Sequence, residues 1–261
     1  MPPAAGYNSH VRIALLMLAL GVLPDEKAER FFDRMKIDAP ELSDDLSRRV
    51  VVYLLQKEHW VGSYRDLSDR FGRFPDDLDL TIDFKLDAEE IGRTSCKGDE
   101  WKISFNLKKL VELQKRYDQV EQWKREGKQM VFKVPPLKMD RLIYHEMTHV
   151  LQGRFDAPLW FVEGMAQMVG DDTNALCQFI KDGKPIRGVD NEITDRLETY
   201  SRGHLFWKWL ETRGATYRTY ELAFVKQLPW KQALEEATNR SFANIVAEEK
   251  EWSVREAQKY K

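Results

Sequence analysis

The stretch that most constrains this chain is the apolar segment LIYHEMTHVLQ, from Leu142 to Gln152. It holds two histidines four residues apart, with a glutamate directly after the first, although the whole chain has only five histidines. The apolar residues on both sides predict a buried helix, and residues four apart on a helix share one face. Because unpaired polar groups are costly away from water, such a helix needs a partner for its imidazoles and its carboxylate.

The spacing of His145, Glu146 and His149 suits a metal site. His145 and His149 can each present an imidazole nitrogen to the same ion, while Glu146 lies one step round the helix. Imidazole and carboxylate are good zinc ligands, and a hydrolytic zinc site keeps one position open for water. Glu146 would then take a proton from that water and pass it to the leaving amine. The alternative is a satisfied pair of core histidines.

A third protein ligand must come from elsewhere in the chain. The metzincin extension is excluded, because it needs a glycine and a histidine where this chain has Gln152 and Phe155. Glu163, in PLWFVEGMAQMVG, is the first acidic residue after Asp156 and has apolar neighbours. A glutamate in so apolar a predicted helix needs a cation or a hydrogen-bond partner. We expect Glu163 to be the third ligand; a carboxylate near a helix start is the alternative.

The two motifs together, HExxH and then WFVEGMA at residues 160–166, resemble the gluzincin branch of zinc peptidases. More narrowly they resemble the peptidase MA-like family, over roughly residues 78–252, with sharp motifs only from His145 to Ala166. The resemblance implies a zincin-like fold with one zinc ion bound by His145, His149 and Glu163, and Glu146 as general base. The chain has no GxMEN stretch, which argues against the exopeptidase mode of the aminopeptidases that carry it.

Three further residues are candidates for supporting roles. Gln167 stands where thermolysin-like enzymes have an aspartate, and it could orient a ligand histidine or simply face solvent. Tyr200 and His204 lie four apart on a predicted helix and so share a face. In related gluzincins a downstream tyrosine or histidine donates to the developing oxyanion, which makes both residues catalytic candidates. Packing beside neighbouring aromatic residues is the alternative for both.

Strand-like alternation is confined to the middle of the chain. It occurs in DLDLTIDFKLD and again at Trp101, Ile103 and Phe105, and it predicts a small, mostly antiparallel sheet over residues 78–107. Helical patterns fill residues 25–77 and the region after Arg141, so we expect an α+β protein with a helical lobe. We predict a zincin-like domain over residues 78–261. By resemblance, the Trp101–Phe105 strand could be the edge to which a peptide adds.

The N-terminus favours export. Residues 13–23 are apolar, follow a weakly basic stretch, and are too few for a comfortable membrane span but suit a secretory signal. We therefore predict that residues 1–24 are a signal peptide or a retained anchor, and that the protein is periplasmic, extracellular or tethered to the cell envelope. The alternative is a buried N-terminal helix in a cytoplasmic protein.

Composition narrows the class of partner. The formal net charge of −2 gives no basic surplus for nucleic acid, and Cys96 and Cys177 are too few for a disulfide scaffold or a cysteine-based zinc site. The sequence therefore predicts a zinc metallopeptidase, an endopeptidase acting on a peptide or protein substrate. Two alternatives stay open. One is a non-catalytic zincin-fold binding protein with a structural zinc, and the other is a zinc hydrolase of a non-peptide amide.

Overall fold

The computed structural model describes residues 26–42, 44–72, 74, 78–128, 138–190 and 192–260. The predicted export segment, residues 1–24, lies outside these ranges. Among the described residues, none of the helices combines the length and the apolar character that crossing a bilayer requires. The described part of the chain is an α+β structure with one small sheet and many helices.

The N-terminal region is helical, as predicted, but it also contributes a strand to the sheet. Its elements are α1 (Glu26–Arg34), β1 (Lys36–Asp38), α2 (Asp45–Leu54) and α3 (Lys57–Phe71). The Asp44 side chain begins α2 by accepting a hydrogen bond from the Ser47 amide at 2.8 Å. At the other end, the buried Trp60 indole donates to the Leu54 carbonyl at 2.7 Å and so satisfies a terminal helix acceptor.

The sheet is mixed, so the prediction of a mostly antiparallel sheet was wrong. Its remaining strands are β2 (Asp79–Lys85), β3 (Gly92–Lys97) and β4 (Glu100–Asn106), in the order β1-β2-β4-β3. The pairs β1–β2 and β2–β4 are parallel, and only β3–β4 is antiparallel. A tight turn at Gly98 joins β3 to β4, and the hairpin that it closes inserts β4 beside β2. Alternation in a sequence reports which face is buried and not the direction of the neighbouring strand.

The edge strands of this sheet are β1 and β3, and the Trp101–Phe105 strand lies inside the sheet as β4. The inner face of the sheet is apolar, and its buried side chains are Leu80, Ile82, Phe84, Ile103 and Phe105. Register places Gly92, opposite Phe105, and Thr94, opposite Ile103, on this same inner face. The edge strand β3 therefore turns a glycine and a threonine towards the helices that cover the sheet.

The remaining elements are helical and follow the sheet in the chain. They are α4 (Leu107–Arg125), α5 (Met139–Gln152), α6 (Leu159–Val169), α7 (Asn174–Lys181), α8 (Arg196–Thr212), α9 (Thr216–Tyr220), a π-helical turn (Glu221–Val225), α10 (Trp230–Thr238), α11 (Phe242–Glu256) and a final 3₁₀ turn (Ala257–Tyr260). The helix α5 packs against β3 on one side and against α6 on the other. It is the helix that carries both predicted histidine ligands.

A pair of glycines brings α6 and α8 into close contact. A Cβ atom on Gly203 would lie 2.2 Å from the Trp160 carbonyl oxygen, and one on Gly164 would lie 2.4 Å from Gly203 Cα. The Trp207 indole also crosses this contact and donates to the Phe161 carbonyl at 2.6 Å. Because Gly164 directly follows Glu163, this contact also fixes the position of the predicted carboxylate ligand.

A buried ion pair ties α8 to the C-terminal helix α11. The guanidinium of Arg202 contacts both carboxylate oxygens of Glu249 at 2.8 and 2.7 Å, and both side chains are completely buried. The Nε atom of Arg202 also donates to the Arg187 carbonyl at 2.8 Å, and Ser253 donates to the Glu249 carboxylate. Removing one member of such a pair leaves an uncompensated charge in the core, at a cost of about 3–5 kcal/mol.

We predict that Gly203→Ala lowers the free energy of unfolding by about 1–3 kcal/mol, because the added methyl group overpacks the contact between α6 and α8. Denaturation in urea measures this change. Gly62→Ala is the matched control, because Gly62 is also helical but the nearest atom to its added Cβ is the Tyr144 hydroxyl at 3.9 Å. We expect the control to be neutral or slightly stabilising. Equal destabilisation by both substitutions would contradict the close contact.

Candidate metal centre

The structure brings the three predicted ligands together. The Nε2 atoms of His145 and His149 are 3.2 Å apart, and Oε2 of Glu163 lies 3.4 Å from each of them. Two ligand atoms bound tetrahedrally to a zinc-sized ion are about 3.3 Å apart, given metal–ligand distances of about 2.0–2.1 Å. The triangle therefore matches the donor spacing of a small metal ion, and this group could hold one.

Helix packing sets this spacing. Both histidines lie on one face of α5, and Glu163 lies on α6. The two helices approach closely just after α6 ends, at Gly170. A Cβ atom on Gly170 would lie 3.1 Å from the Arg141 carbonyl oxygen and 3.5 Å from the His145 Cβ. A glycine at this position therefore lets the end of α6 lie against the start of α5.

Gln152 orients His149 and was missed as a site residue. Its amide nitrogen donates to the Val162 carbonyl at 2.8 Å, which leaves its oxygen to accept from Nδ1 of His149, also at 2.8 Å. With its proton on Nδ1, a neutral ring presents the lone pair of Nε2 to the other ligands. Gln167 was the predicted candidate for this role. With its amide nitrogen turned towards Asp172, it donates instead to the Asp172 carbonyl at 2.8 Å.

The charges at the triangle favour a cation there. Oε2 of Glu163 is buried, and among the described residues it makes only the two long contacts of 3.4 Å with the imidazole nitrogens. Burial alone would lower the pKa of His149, but the hydrogen bond and charge of Glu163, with the charge of Glu146, raise that pKa to about 9. Burial would raise the pKa of Glu163, yet the two histidines hold it far below its usual range. The site therefore favours positive charge, supplied by a proton or by a metal ion.

The edge strand β3 positions Glu146, which is 3% exposed. The Thr94 hydroxyl lies 2.7 Å from Oε2 of Glu146 and 3.0 Å from its backbone carbonyl oxygen. Gly92 leaves room for the other carboxylate oxygen, since a Cβ atom there would lie 2.4 Å from Oε1. Sequence reasoning missed both contacts. The available signal was a glycine inside a strand pattern, which often marks close approach of another group.

Tyr200 lies beside the metal ligands, in the same cleft. The Arg196 guanidinium donates to its hydroxyl at 3.3 Å and also forms an ion pair with Glu90 at 2.8 Å. Burial raises the pKa of the Tyr200 phenol, and the negative charge of Glu163 raises it further. The phenol is therefore protonated at neutral pH and available as a hydrogen-bond donor.

His204 is placed differently, although it lies one helical turn from Tyr200. It is 3% exposed, and it does not line the cleft that contains the metal ligands. Burial lowers the pKa of His204 to about 4, although the charge of Asp172 and a hydrogen bond to the Gln167 backbone each raise it. A neutral, buried ring is expected if His204 packs beside the neighbouring aromatic residues, which is the alternative to a catalytic role. The structure thus groups Tyr200, and not His204, with the ligands.

An open cleft of about 500 Å³ is lined by the three predicted ligands and by Glu146, Gln152 and Tyr200. The strand β3 forms one side, and the predicted ligands with Tyr200 form the other. Glu89 and Glu90 lie where the chain enters β3, and Arg154 lies beyond the C-terminal end of α5. The cleft is therefore long enough to reach well beyond the metal ligands along the sheet edge.

Comparisons of the chain with protein-family models, with curated proteins and with solved structures find no match. The gluzincin resemblance therefore rests on the motif residues themselves.

We predict that Gln152→Leu weakens metal binding by about 10- to 100-fold, because the ring of His149 loses the group that fixes its orientation and tautomer. Titration of metal-free protein with Zn²⁺ and Co²⁺ measures the dissociation constants. Gln167→Leu is the matched control, since it removes an amide of the same size from α6 without touching His149. Equal weakening by both substitutions would show that Gln152 has no special role.

Proposed function

We propose that this protein is a zinc-dependent metallopeptidase that hydrolyses peptide bonds. The observation that carries the proposal is the triangle of His145, His149 and Glu163, with the Glu146 carboxylate held beside it in the same cleft. Two imidazoles and one carboxylate are a donor set typical of catalytic zinc sites, which keep a fourth position open. A structural zinc site is closed by four protein ligands, and no fourth ligand joins this group among the described residues.

Zinc, when bound, supplies a Lewis acid that activates water and polarises the substrate carbonyl. The protein side chains carry out the proton transfers. Glu146, fixed by Thr94 and unobstructed by Gly92, accepts a proton from the attacking water and delivers it to the leaving amine. The Tyr200 phenol donates a hydrogen bond to the developing oxyanion.

The substrate in this proposal is an extended peptide that lies along β3. Within the described residues the outer edge of β3 has no strand partner, and it borders the cleft over residues 92–96. Unpaired backbone groups on an edge strand are available to an added strand, whose side chains then occupy pockets on alternate sides. This arrangement favours a peptide over a small non-peptide amide, because a small amide would leave most of the edge unused.

We predict that Glu146→Gln lowers peptide cleavage by about 100-fold or more, because the amide cannot accept the proton of the attacking water. The substitution keeps the side-chain shape, so the protein should still bind close to one zinc ion per chain. Cleavage of a broad library of quenched peptides and zinc content by mass spectrometry measure the two effects.

Three outcomes of this experiment are distinguishable. Zinc binding with no cleavage by the wild type would favour the alternative of a non-catalytic binding protein. Cleavage that persists in Glu146→Gln would contradict the role of the base. Wild-type protein that binds no metal would remove both zinc hypotheses.

We predict that Thr94→Val lowers kcat by about tenfold or more, because Glu146 loses a hydrogen bond to its charged carboxylate. Zinc content and KM should change little, since Thr94 touches no ligand. Thr94→Ser is the control, because it keeps the hydroxyl and should retain most of the activity. A serine variant as impaired as the valine variant would indicate that packing of the threonine methyl group, rather than the hydrogen bond, is responsible.

A further inference from the structure

Arg154 is a cation fixed at one end of the cleft. It follows Gly153, whose positive φ of 67° ends α5 and turns the chain towards the β3–β4 hairpin. One terminal nitrogen of its guanidinium, Nη2, lies 3.3 Å from the carbonyl oxygens of both Cys96 and Gly98. The side chain is therefore held against the hairpin, with its orientation set by backbone groups.

The charge of Arg154 is not neutralised within the described part of the chain. Its hydrogen bonds go to carbonyl oxygens and to the Cys96 sulfur, and no described carboxylate lies within ion-pair distance of it. Arg196, the arginine beside Tyr200, differs because Glu90 pairs with it. A guanidinium has five donors, and the Nη1 and Nε groups of Arg154 have no partner among the described residues, so they can bind a carboxylate.

The spacing of residues along the edge strand β3 gives the distance between Arg154 and Glu146. Thr94 contacts Glu146, and two residues further on Cys96 contacts Arg154. Two residues of a strand span about 7 Å. An extended peptide along β3 has the same rise per residue. Arg154 therefore lies about two substrate residues from the scissile bond, at which Glu146 acts in the proposed reaction. At the other end of the cleft, Glu89 and Glu90 disfavour a second carboxylate.

We infer that Arg154 selects substrates that carry a carboxylate about two residues from the scissile bond. This inference rests on the proposed peptidase function and names its substrate class. The carboxylate belongs either to an aspartate or glutamate side chain or to the free C-terminus of the peptide. Both sources present the same planar pair of oxygens to the guanidinium fork.

The test uses zinc-loaded full-length protein and quenched ten-residue peptides in which a single aspartate is moved through every position. A matched set carries asparagine instead, and each peptide is made with a free and with an amidated C-terminus. We expect the wild type to prefer aspartate at one position by about tenfold in kcat/KM. Arg154→Gln should remove that preference, and Arg154→Glu should reverse it in favour of asparagine at the same position.

The matched control is Lys97→Gln, which removes an exposed cation from the outer face of the same edge strand, at a position that does not line the cleft. We expect this variant to keep the aspartate preference. If it loses the preference as Arg154→Gln does, general electrostatic attraction explains the effect and the inference fails. A preference for the free C-terminus over the amide, with no difference between aspartate and asparagine, identifies the terminal carboxylate as the group that Arg154 binds.

A binding measurement separates this inference from the proposed chemistry. The fluorescence anisotropy of labelled aspartate and asparagine peptides is measured with Glu146→Gln protein, with and without Arg154→Gln. Tighter binding of the aspartate peptide, lost on Arg154→Gln, supports the role of Arg154 even if the wild type cleaves no peptide. If the Glu146→Gln protein binds the aspartate and asparagine peptides equally, and also binds the free and amidated C-termini equally, the inference is overturned, whether or not cleavage occurs.

Discussion

The contact between one carboxylate and two imidazoles is the constraint on which the rest of the structure depends. Glu163 reaches the histidines only if α6 lies at the correct distance from α5, and the Gly164–Gly203 contact holds α6 against α8. The helix α8 is in turn anchored to α11 by the buried pair of Arg202 and Glu249. Much of the helical lobe therefore acts as a scaffold that positions one carboxylate beside the two imidazoles.

The second constraint comes from the sheet. Glu146 lies on α5, but its carboxylate is positioned by β3, through the Thr94 hydroxyl and the open space above Gly92. The helix α5 packs against β3, and the mixed topology places this antiparallel strand at the edge beside the cleft. The three predicted ligands and Glu146 are thus supported by different layers of the protein, the predicted ligands by helix packing and Glu146 by the sheet edge.

The sequence predicted the parts of the site that lie on regular spacing, and the structure shows where that reasoning ends. The i, i+4 histidines and the isolated Glu163 come together as expected, because helix geometry fixes the first and the cost of a buried charge required a partner for the second. The parallel pairing of β2 with β4 and the identity of the edge strand depend on long-range topology, which alternation does not encode. Gln152 was missed for a similar reason, since its role depends on where the Val162 carbonyl lies in space.

The β3–β4 hairpin limits how the cleft can change in evolution. Residues 92 and 94 touch the Glu146 carboxylate, whereas the carbonyls of residues 96 and 98 hold the Arg154 guanidinium. One short hairpin therefore positions both the Glu146 carboxylate and the cation at the end of the cleft. A single insertion in this segment would shift the strand register and reverse its faces, so both contacts would be lost together.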